Sequence, residues 1–78
     1  MINAYEEILD FITSAPTLIQ IVEFEHSMET LTRVNYLEQL EEVKNIHEDE
    51  LYELKEFRKS AYFVEQLKIR AKRRLEHW

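Results

Sequence analysis

"LYELKEFRKSAYFVEQLKIRAKRRLEHW", residues 51–78, carries apolar side chains at Leu54, Phe57, Ala61, Val64, Ala71, Leu75 and Trp78. Lys68 fills the one missing place in the pattern. The steps alternate between three and four residues, which keeps every one of these positions on one side of an α-helix. The spacing predicts a helix over about 49–77 whose apolar stripe needs cover. A second set, Tyr62 and Ile69 with Leu51, falls roughly opposite that stripe, and Tyr52 and Phe63 lie between. A surface helix with one neighbour needs only one stripe. Either this helix is central to its own fold, or one of its sides meets another subunit.

Upstream, Leu31, Val34, Leu37, Leu40, Val43 and Ile46 predict a second long helix over 31–46. Between the two lies "NIHEDE", residues 45–50. It reads as a tight link between antiparallel helices, with Asn45 closing one and His47 or Asp49 opening the next. The alternative is one unbroken rod, about 70 Å long at 1.5 Å per residue. The hairpin is preferred, because it lets a short chain bury its own stripe.

The N-terminal third is read as two short helices. Asn3 with Glu6 resembles a capping box and starts a helix over 4–14. Pro16 stops it, since the residue before proline is pushed out of the α region. Ser14 or Thr17 then caps a helix over 17–28, "TLIQIVEFEHSM". Its β-branched residues also suit a strand, but the chain offers no second strand to pair with it. Ser27 or Thr30 would cap the helix that follows. The expected fold is all-α, a single domain over 1–78 with three to four helices: two short ones, then a long hairpin or one long helix. A chain of 78 residues has a marginal core and usually needs a staple or a partner chain, so a dimeric helical bundle is expected.

Composition removes several function classes. There is no cysteine, which excludes disulfides and thiolate metal sites. There is no glycine, which excludes phosphate-cradling loops and the G-x-S-x-G nucleophile elbow. No secretory leader and no membrane-length apolar run is visible, so a cytoplasmic protein without membrane contact is expected. No catalytic constellation stands out, so the expectation is not an enzyme and no cofactor. Glu23 and His26 form an E-x-x-H pair, which on a helix would share a face and suit a metal shared across a dimer.

Charge is divided along the chain. Residues 1–65 carry −10 of a net −6, and residues 66–78 carry +4 through Lys68, Arg70, Lys72, Arg73 and Arg74 against Glu76. Cations at a helix C-terminus complement its dipole. Arg70, Arg73 and Arg74 are also the expected charged contacts, first with an acidic protein surface, including the chain's own "EDELYELKE", and second with nucleic acid. The acidic set from Glu38 to Glu56 admits a further reading, imitation of the charge spacing of DNA. The leading expectation is a small regulator, adaptor or inhibitor that pairs with itself through Leu54, Phe57, Ala61, Val64, Ala71, Leu75 and Trp78, with Tyr62 and Ile69 on the second face.

Overall fold

The computed structural model describes residues 4–77 and is all-α. Four helices occur among these residues, and no strand: α1 (Ala4–Thr13), α2 (Leu18–Val22), α3 (Met28–Glu42) and α4 (Glu48–Glu76). The three earlier helices all pack against α4, α2 most extensively. With 29 residues, α4 is about 43 Å long at 1.5 Å per residue, and it sets the 48 Å long axis of the molecule. The Cα radius of gyration is 14.5 Å, against about 11–12 Å for a compact domain of this length. The chain is therefore elongated, with α4 as its spine.

Each break has a local cause. The first helix closes with Ala15 in the left-handed region at φ 57°, its N–H donating to Ile12 O at 3.2 Å. Pro16 has no N–H to give the next bond, so the chain turns there. Thr17 then caps α2 in a reciprocal box. Its hydroxyl accepts from Gln20 N–H at 3.2 Å, and Gln20 Oε1 accepts from Thr17 N–H at 2.9 Å. Ser27 caps α3, accepting from Thr30 N–H at 3.2 Å. At the N-terminus of α4, Glu50 Oε1 reaches back to His47 N–H at 3.0 Å. The Asn3–Glu6 capping box lies outside the described residues.

The end of α3 uses a Schellman motif without glycine. Asn45 N–H donates to Leu40 O at 2.9 Å and Lys44 N–H to Glu41 O at 3.1 Å. This places Lys44 at φ 58°, where a Cβ is disfavoured. The helix thus stops at Glu42, short of the expected 46, and Ile46 turns inward onto the core.

Two further expectations are corrected. The second helix is five residues long, not twelve, because Glu23 is its C-cap and Phe24 leaves the helix to stack on Phe11, ring centroids 4.6 Å apart. The long segments form neither a rod nor an aligned hairpin. Arg33 pairs with Glu53 and Glu41 with Arg58, so positions rise together on both helices, whereas in an aligned hairpin one rises as the other falls. The helices cross, with Val34, Leu37 and Leu54 as the buried centre and Ile46 and Phe57 beside it.

Leu54→Ala is expected to cost about 3 kcal/mol, the usual range for a fully buried leucine, against a total of roughly 4–12 kcal/mol for a chain of this length. Lys44→Gly should instead raise stability by about 0.5–1 kcal/mol by relieving the left-handed residue. Urea unfolding checks both; a glycine variant less stable than wild type would contradict the cap.

Candidate functional site

The chain holds two features with functional potential, a buried histidine and the outward face of α4. His26 sits in the link between α2 and α3, its side chain only 9 % exposed. Its ring stacks edge-on to Phe24, centroids 5.1 Å apart, and lies 5.4 Å from Phe57. With the Phe11–Phe24 contact, this forms an aromatic run from α1 to α4 that joins the packing of α1 and α2 to that of α3. Nδ1 meets Glu7 Oε1 at 2.8 Å. An ionised carboxylate only accepts, so Nδ1 carries the proton. Nε2 is sealed from solvent and has no hydrogen-bond partner among the described residues.

Partial burial pushes the Glu7 carboxyl up. Hydrogen bonds from the Ser27 hydroxyl, the His26 ring, the Thr30 hydroxyl and the Ser27 amide outweigh this, and its pKa lies below the usual 4.5. Glu41 is also held below 4.5, first by its hydrogen bonds from Arg58, at 2.7 and 3.1 Å.

The expected Glu23–His26 pair does not form the helical face that its spacing implied. Glu23 is the exposed C-cap of α2, residues 24–27 are not helical, and the partner of His26 is Glu7. No group of three or more metal-ligating side chains converges among the described residues. A cleft of about 280 Å³ opens beside His26, lined by Phe24, Glu25, Leu31, Ala61, Val64 and Lys68. The histidine nitrogen that is free of Glu7 is covered, so His26 offers no free ring nitrogen to this cleft.

On α4 the two expected faces have different fates. The stripe proposed as an intersubunit seam is taken up by the chain itself: Leu54 and Ala71 are buried, and Phe57, Ala61 and Val64 are half-buried. Leu75 is exposed, and Trp78 lies outside the described residues. The other side is uncovered. Tyr52 is 67 % exposed, Tyr62 69 % and Phe63 48 %, with Ile69 also at the surface. Arg70, Arg73 and Arg74 are exposed and make no ion pair among the described residues. Among the described residues no helix is long and apolar enough to cross a membrane.

Sequence reasoning missed Glu7. It is 19 residues from His26, and no short-range spacing signals such a pair. It missed Arg33–Glu53 and Arg58–Glu41 for the same reason.

The lowered Glu7 and Glu41 values carry a sign. Between the folded and unfolded values the unfolded chain binds more protons, so stability rises with pH there. The contribution is complete above about pH 4.5 and is lost as pH falls through the lowered native values. Glu7→Gln should cost about 1 kcal/mol at pH 7 and flatten the acid limb of a urea-midpoint profile between about pH 5 and pH 2; an unchanged limb would contradict the role of Glu7. No family model, curated protein or solved structure gives a significant match to this chain.

Proposed function

We propose that this chain is a non-enzymatic protein-interaction module, a small regulator, adaptor or inhibitor, whose working surface is the outward face of α4. The observation that carries this reading is the exposure of Tyr52, Tyr62 and Phe63 along one helix. Scattered apolar residues at a surface are ordinary. Three aromatic side chains on the uncovered side of the longest helix are a different matter, because aromatics dominate the buried centres of protein interfaces.

His26, with one ring nitrogen bonded to Glu7 and the ring packed between Phe24 and Phe57, is placed to hold the core together. The same α4 face ends in Arg70, Arg73 and Arg74, none of them ion-paired among the described residues, which suits a partner with acidic groups.

A photo-reactive residue at position 63, introduced in the native host, should form a discrete adduct with a protein. The same residue at Asn35, an exposed site on α3, should not. Tyr62→Lys should abolish the adduct while shifting unfolding free energy by less than about 0.5 kcal/mol, as for an exposed substitution. Equal labelling from both sites, or none from position 63, would overturn the reading.

A further inference from the structure

Three ion pairs fall between Glu53 and Lys59 of α4, and none toward either end among the described residues. Glu53 pairs with Arg33, Arg58 with Glu41 and Lys59 with Glu56, all within the chain. At the N-terminal end, Glu48 and Asp49 are exposed and have no ion-pair partner among the described residues. The C-terminal end presents Arg70, Arg73 and Arg74 in the same condition. The helix dipole accounts for the sign at each end, but a dipole is indifferent to which side of the helix carries the charge. Here Glu48, Tyr52, Lys59, Phe63, Arg70 and Arg74 recur at steps of four and seven. Those steps keep them on one side of a nearly straight helix, and all six are exposed.

Read in reverse about Ala61, the two ends of this face exchange sign: Glu48 and Asp49 stand level with Arg74 and Arg73. We propose that its occupant is a second copy of this chain, packed antiparallel along α4 with the two-fold axis level with Ala61. The inference rests on the interaction reading above and names its partner. In this register Glu48 of one protomer lies opposite Arg74 of its partner, and Asp49 lies opposite Arg73. Tyr52 lies opposite Arg70, a cation–π pairing. Phe63 lies opposite the alkyl stem of Lys59, whose ammonium is already neutralised by Glu56 at 3.1 Å in its own chain. Two-fold symmetry makes each contact occur twice. A parallel pair would set acid on acid and base on base, and a nucleic-acid backbone along the same face would meet Glu48 and Asp49 at one end. Charge pairing of this kind fixes orientation and register more than affinity.

Sedimentation velocity at low salt should give twice the chain mass. Arg73→Glu/Arg74→Glu and Glu48→Lys/Asp49→Lys should each weaken self-association by about tenfold or more, with helical circular dichroism retained. Mixed in equal amounts, the two variants should recover the dimer, a result that misfolded chains cannot give. Because the chain has no cysteine, orientation follows from oxidation. A Glu48→Cys chain should join an Arg74→Cys chain, and two Glu48→Cys chains should not join each other. A monomeric wild type, reversals without effect, or 48-to-48 crosslinks would overturn the proposal. If the monomer still forms an adduct with a different protein at position 63, the interaction reading stands and only the identity of the partner falls.

Discussion

Everything in this fold follows from one constraint: a 29-residue helix must be covered by elements too short to surround it. The ten, five and fifteen residues of α1, α2 and α3 wrap one side of α4 and leave the other bare. Leu54 anchors the covered side against Val34 and Leu37, and Ala71 is buried farther along the same stripe. A longer α2, or an α3 aligned with α4, would cover more. Pro16 turns the chain after α1, Phe24 leaves α2 for its contact with Phe11, and the left-handed Lys44 closes α3. A glycine-free chain turns at some cost in strain, which Lys44 and Ala15 carry.

Polar groups act within this frame as positioning devices. The fork-shaped contacts Arg33–Glu53 and Arg58–Glu41 set where α3 crosses α4. Partly exposed pairs of this kind add little net stability, but each fixes a distance and an angle. His26 does more, because it is inside. Its ring completes an aromatic run from Phe11 to Phe57, and its bond to Glu7 ties the link between α2 and α3 back to α1. The unpartnered Nε2 is a cost that this packing bears.

Much of this was legible in residues 51–78. Steps of three and four from Leu54 to Leu75 located α4 and its apolar stripe, and Pro16 and the polar run after Asn45 located two of the breaks. Local patterns report which side of a helix is apolar, but not what covers it. The stripe was therefore read as an intersubunit seam when α1, α2 and α3 cover it. The shortness of α2 was hidden because "TLIQIVEFEHSM" keeps a helical composition past Val22; Phe24 leaves the helix for a tertiary contact with Phe11. The crossing of α3 over α4 depends on partners 17 and 20 residues apart, beyond the reach of periodicity. The second face was signalled by Tyr62 and Ile69, with Tyr52 and Phe63 beside them, and the structure leaves that face open.

The central claim is that α4 has one side closed by its own chain and one side open to another. A scan with single cysteines tests it directly, since the chain has no native thiol to interfere. In dilute solution, positions 54 and 71 should resist thiol labelling, while 52, 59, 63 and 70 should react rapidly. As protein concentration rises, only the second group should become protected. Protection of positions 59 and 63 in dilute solution, or free reaction at 54 and 71, would contradict the account.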